Sequence, residues 1–229
     1  MNFELFNLTH MNYIYIFLIM WIFIPLISKK IFNSHFIKIG TLALIFISIG
    51  LDVFDTIYRI FDDNFSIIDD LPLHMCGLSL YLGAYTLYNK YQQGFELCYF
   101  WGIGGALQAI LTPDSTDFTN NYYIFAFMLS HALIVLNVLW MIIVLDMRFR
   151  KFALLRTIII TNLILIPIAM INLLLDSNYF YICQKPPANN PFLIGEWPFY
   201  LFYLEFFAIV ILAILNIPML LLNKFREKL

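Results

Sequence analysis

A thiol works as a nucleophile only where a base can take its proton, so Cys76 is read together with the imidazoles near it. It sits in Leu71-Pro72-Leu73-His74-Met75-Cys76-Gly77, where proline suits the first turn of a helix. His74, two residues away, would point about 200° around the helix from Cys76, so these two do not act on each other. A second imidazole, in Ser130-His131, lies on a later apolar run about ten residues, or roughly 15 Å, from its outer end. Each also has a plainer reading. A cysteine is by default a small buried hydrophobe, and an intramembrane histidine commonly hydrogen-bonds a neighbouring helix.

The carboxylates form a second set. Ser48, Asp52, Asp55 and Arg59 are spaced by four, three and four, which puts them on one helix face that cannot look at lipid. Asp55 and Arg59 stand at i, i+4 and can pair, leaving Asp52 deeper and in need of a partner from another helix. Trp101, Gly105, Gln108 and Thr112 share helical spacing, and Gly102-Ile103-Gly104-Gly105-Ala106 would let another backbone approach closely. Gln108 and Asn172 read most simply as interhelical hydrogen-bonding amides, whereas Glu205 is costlier to hold in a bilayer. Asp52, Asp55, Arg59, His74, Cys76, Gln108, His131, Asn172 and Glu205 come from six helices but share the outward half of the membrane. That shared depth predicts one hydrated cavity between helices two to seven.

The elements that must position these residues are transmembrane. The chain of 229 residues is 62% hydrophobic and 12% charged, about half the charge of an ordinary soluble domain. Apolar runs long enough to cross a bilayer occur at about 12–28, 36–60, 72–89, 95–112, 121–145, 152–175 and 198–222. They are continuously apolar instead of alternating, which excludes strands. The expected fold is all-α, a polytopic membrane bundle of seven transmembrane helices forming a single domain over residues 1–229. The first run is no cleaved signal: Glu4 precedes it, Lys29 and Lys30 follow it, and there is no small-x-small site.

Lys29, Lys30, Lys38, Lys90, Arg148, Arg150, Lys151, Arg156, Lys224, Arg226 and Lys228 fall on one side, while Arg59 and Lys185 fall on the other. Glu4, Asp62, Asp63, Asp69, Asp70, Asp114, Asp117, Asp176 and Glu196 share that second side. The positive-inside rule then sets the N-terminus out and the C-terminus in the cytoplasm. A net charge of -2 excludes a globally basic nucleic-acid binder. No metal set and no cofactor motif is present. The segment 176–197, with Pro186, Pro187, Pro191, Gly195 and Trp197, reads as an ordered outer loop.

The Pro72-Leu73-His74-Met75-Cys76 block, Gly104 through Asp114, Ser130-His131, Asn178-Tyr179-Phe180-Tyr181 to Lys185-Pro186, and Glu196-Trp197-Pro198-Phe199-Tyr200 carry a resemblance. Over roughly residues 50–215 the chain resembles the YwaF-type bacterial integral membrane proteins. It is also similar to an animal multispanning acyltransferase of ether phospholipids. That resemblance implies Cys76 as nucleophile and His131 as base, with membrane phospholipids as acyl donor and acceptor and a bacterial cytoplasmic membrane as the location. Gln108, Asn172 or His74 would then supply an oxyanion donor, and Asp52 or Asp55 would orient the imidazole or bind a headgroup amine.

Two alternatives stay open at this stage. Cys76 and Cys183 both fall on the outer side, where they can form a disulfide that disarms Cys76. The Asp52, Asp55, Arg59 and Glu205 set can instead serve a transporter or a solute- or lipid-binding protein as a proton or cation relay.

Overall fold

The computed structural model describes residues 3–113, 118–185 and 194–226, and among these every regular element is helical. Asp114, Asp117, Pro186, Pro187 and Pro191 lie outside the described residues. The helices are α1 (Leu8–Ile31), α2 (Ser34–Phe61), α3 (Met75–Asn89), α4 (Gln92–Cys98), α5 (Leu107–Leu111), α6 (Asn121–Ile143), α7 (Ala153–Leu175) and α8 (Phe199–Arg226). A π-helical stretch, Tyr99–Ala106, joins α4 to α5 without a break, so residues 92–111 make one rod about 30 Å long. Five helices are long and apolar enough to cross a membrane: α1, α2, α6, α7 and Phe199–Lys224 of α8. The protein is therefore a multi-pass membrane protein.

Helix starts follow local chemistry. Asn7, Asn33 and Asn120 cap α1, α2 and α6, each accepting backbone N–H bonds from the first turn through its side chain. Pro25, Pro167 and Pro218 sit inside helices, where a packed or apolar setting tolerates them. The third helix departs from expectation, because Pro72 is not in its first turn. The chain folds back at 71–74, with the Leu73 N–H on the Leu71 carbonyl at 2.6 Å, and the helix starts only at Met75. Gly77 makes this possible: a Cβ there would stand 2.8 Å from the Pro72 backbone.

The core is built around α6, which packs against α1, α2, α3 and the 92–111 rod. Its Trp140, Met128, Ala132, Val138 and Met141 are all 2% exposed or less. Glycine again allows the closest approach, since a Cβ on Gly102 would lie 2.9 Å from Ile134 of α6. Two side chains tie α1 to this core. The Trp21 indole donates to the Ala132 carbonyl at 2.9 Å. His10 accepts from the Phe6 N–H through Nδ1 at 3.0 Å and donates through Nε2 to the Ile110 carbonyl at 2.7 Å, which uses both ring nitrogens.

At the basic end, Glu96 is fully buried and accepts from Arg150 and Arg156 at 2.9 to 3.1 Å. The pairing raises Arg150 further above the ordinary guanidinium range. This knot holds the loop before α7 against the start of the 92–111 rod.

Candidate functional site

Cys76 lies in the first turn of α3, and its depth is fixed by its neighbours. A Cβ on Gly83 would touch Cys98 Sγ at 3.9 Å and the Asn137 amide at 4.0 Å. Two turns earlier on α3 stands Cys76, and two turns earlier on α6 stands Ser130, because both helices run the same way. The rod gives the same answer independently. Gly102 abuts Ile134, and one turn further along Gly105 abuts Cys76 Sγ, at 3.7 Å from a built Cβ. Cys76, Gly105 and the Ser130–His131 pair thus occupy one level of the bundle, beside the π-helical segment. Among the described residues no hydrogen bond joins the Cys76 thiol to His131. All three cysteines, Cys76, Cys98 and Cys183, are free thiols.

His131 Nδ1 lies 2.8 Å from the Phe127 carbonyl oxygen, and its ring stacks on Phe127 at 4.2 Å. A carbonyl only accepts, so Nδ1 carries the proton and Nε2 keeps the lone pair. Ser130 Oγ is bonded to the same carbonyl at 2.9 Å and lies 3.4 Å from Nδ1. The contrast with His10 is chemical: His10 uses both nitrogens in structure, whereas His131 is held through Nδ1 and, among the described residues, no hydrogen bond engages its Nε2.

The α3 N-terminus adds a second feature. His74 is its N-cap residue but makes no side-chain capping bond, leaving the first-turn N–H groups without that partner. His74 turns the other way, accepting from the Phe180 N–H at 3.4 Å and packing edge-on against Tyr179 and tilted against Tyr181.

The remaining polar residues do not converge on one cavity as expected. Asp52 accepts from the Tyr81 hydroxyl of α3 at 2.5 Å. Asp55 holds Arg59 at 2.9 Å, and Arg59 also reaches Asp70 at 3.2 Å and lies over the Tyr123 ring. Asp52, Asp55 and Arg59, with Phe127 and Ser130, line a cavity of about 110 Å³ between α2 and α6. Asn172 belongs elsewhere: its amide bonds Tyr179 N, Tyr179 O and Ser177, shaping the turn after α7. Glu205 accepts from Asn162 at 3.0 Å, a link between α7 and α8. Gln108 is exposed on the rod. Helix rotation explains the scatter, because shared depth does not bring residues to a shared azimuth.

Sequence reasoning passed over Glu96 and His10 and gave Tyr179 no role beyond its place in a motif. Tyr179 is fully buried and pins the loop before α3 to the end of α7, donating to the Ile67 carbonyl at 2.8 Å and accepting from the Leu71 N–H at 3.2 Å. Phe180 and Tyr181 beside it both have left-handed backbones, with φ of 59° and 53°. The Glu96 knot had a readable signal, a lone acid near the start of an apolar run on the same side as Arg150 and Arg156.

Residues 5–216 match the TMEM164 family. The chain belongs to the TMEM164 family. It is also 27% identical over 168 residues to an uncharacterized protein of Treponema pallidum (strain Nichols), covering 73% of this chain and 68% of that one. No solved structure matches it. The match to the TMEM164 family spans almost the whole chain and overturns the expected YwaF-type assignment, to which neither relative points. Short blocks such as Pro72 to Cys76 carry too few residues to choose between families, whereas a match from residue 5 to 216 does so. Within the TMEM164 family frame, the site of interest is the level shared by Cys76, Gly105 and His131.

Proposed function

We propose that the protein transfers acyl groups on phospholipids within the bilayer, with Cys76 as nucleophile and His131 as general base. In this reading α3 and the 92–111 rod also cross the membrane, giving seven spans with the N-terminus outside and the C-terminus in the cytoplasm of a bacterium. The observation that carries the reading is the His131 tautomer. An imidazole fixed through Nδ1, with Nε2 basic at the level of a thiol, supports thiol activation, which needs the two groups within hydrogen-bond reach or one bridging water.

The chemistry balances. His131 Nε2 takes the Cys76 proton, and the thiolate adds to the ester carbonyl of a donor phospholipid. The C–O bond then breaks, the lysolipid leaves with the proton from His131, and the acyl group remains as a thioester. An acceptor hydroxyl, deprotonated by the same nitrogen, attacks the thioester and restores the thiol. First-turn N–H groups of α3, uncapped by His74 and on the same turn as Cys76, favour negative charge there. Since the Asn172 amide is engaged with Ser177 and Tyr179, further oxyanion donation falls to Gln108 or to His74 Nε2.

Intact-mass analysis of the purified protein should show a hydroxylamine-labile acyl adduct that maps to Cys76. Absence of any adduct after incubation with phospholipid, together with full phospholipid turnover by Cys76→Ala, excludes the mechanism. The cavity lined by Asp52, Asp55, Arg59 and Ser130 favours a second reading, a cation or proton relay serving transport. That reading expects Cys76→Ala to be silent and Asp52→Asn to abolish uptake.

A further inference from the structure

At the basic end of the bundle, away from Cys76, α1, α2 and α6 leave an apolar groove of about 360 Å³. That size falls in the range of roughly 300–1,000 Å³ typical of small-ligand sites. Phe23 and Ile27 of α1, Phe32 of the connecting turn, and Ala43 and Ile47 of α2 form its walls, and Trp140 its floor. The floor is a built surface. The Trp140 indole donates to Thr41 Oγ1 at 3.0 Å, and its ring passes so close to Gly40 that a Cβ there would lie 3.0 Å from it.

The last turn of α1, between the groove-lining residues Ser28 and Phe32, carries two lysines, Lys29 and Lys30. Lys29 Nζ donates to the Val144 carbonyl at 3.3 Å, and Val144 stands one turn beyond Trp140 on α6. Lys30 continues the row of Phe23 and Ile27 on α1. The acid next along the chain from α6, Asp146, is held by Arg148 at 2.8 Å. An apolar slot along the helices, flanked at the end of α1 by two lysines, has the charge and shape of one ligand class.

We infer that this groove is a binding site for an anionic glycerophospholipid, with an acyl chain lying on Trp140 and the phosphate at Lys29 and Lys30. The site is independent of acyl transfer at Cys76, and it holds whichever leaflet the basic end faces. Cationic side chains at a bilayer surface favour anionic lipid over zwitterionic lipid of the same chains.

The test is native mass spectrometry of the full chain in detergent, with equal phosphatidylglycerol and phosphatidylcholine of identical acyl chains. The parent protein should retain phosphatidylglycerol about thirtyfold over phosphatidylcholine, the preference expected from two lysines. Lys29→Gln/Lys30→Gln should bring the ratio to near one while a lipid is still retained. Ala43→Phe, at a position exposed on α2, should fill the slot and remove tightly held lipid of both kinds. Ala43→Trp serves as a second filler, and monodispersity in detergent certifies the fold of each variant. Equal retention of the two lipids by the parent, or unchanged phosphatidylglycerol retention in both fillers, overturns the proposal.

Discussion

His131 Nδ1 lies 2.8 Å from the carbonyl oxygen of Phe127, one turn earlier on the same helix, and this contact decides which ring nitrogen is left to act as a base. The bond fixes the ring before any substrate arrives, so Nε2 needs no reorientation to accept a proton.

From this relationship the catalytic variants follow. A thiol enclosed among apolar neighbours ionises only when a base takes its proton, so His131→Ala should lower turnover by about 10²- to 10⁴-fold. Cys76→Ala should remove adduct and turnover together, and Cys98→Ala, whose thiol bonds the Ser79 carbonyl, should retain both. A radiolabelled phospholipid assay in native membranes reads all three.

Gly77 should be the most sensitive glycine near the site. Gly77→Ala forces the Pro72 backbone away from α3 and should destabilise by about 1–3 kcal/mol, the usual scale of overpacking. Gly50, on α2 with nothing within 4 Å of a built Cβ, is the internal control. Gly50→Ala should be neutral or stabilise by up to about 1 kcal/mol through helix propensity. Thermal unfolding in detergent compares the two.

At the basic end the effects should be asymmetric. Glu96 is fully buried while Arg150 and Arg156 keep contact with solvent. Arg150→Ala/Arg156→Ala strands a buried carboxylate and should cost about 3–5 kcal/mol. Glu96→Gln leaves two cations that water can reach and should cost less, in the range of about 1–3 kcal/mol. A larger loss for Glu96→Gln in the same unfolding assay contradicts this account.

Arg59 should matter more than Asp55. It is the common partner of Asp55 and Asp70 and also lies 4.7 Å from the Tyr123 ring centroid. Arg59→Met leaves two carboxylates without that cation, whereas Asp55→Asn leaves Arg59 on Asp70. The expected order of melting temperature is parent, then Asp55→Asn, then Arg59→Met, as read by fluorescence-detected unfolding.

What the sequence alone determined is the part governed by local partition between lipid and water. Continuous apolar runs fixed the helices to within a few residues, and the Asp55–Arg59 pair was legible because four residues of helix always bring two side chains to one face. How each helix rotates against its neighbours was not legible. Whether Asn172 and Glu205 join Asp52 or turn to the Tyr179 turn and to Asn162 depends on how each helix rotates against its neighbours, and packing of whole surfaces sets that. The same long-range packing gave Glu96 its two arginines and placed His10 on the Ile110 carbonyl, a hundred residues away. The site lies at the boundary between the two kinds of information. Cys76 and His131 stood out by residue type, but their common level came from Gly83 against Asn137 and Gly105 against Cys76, contacts that only the assembled bundle makes.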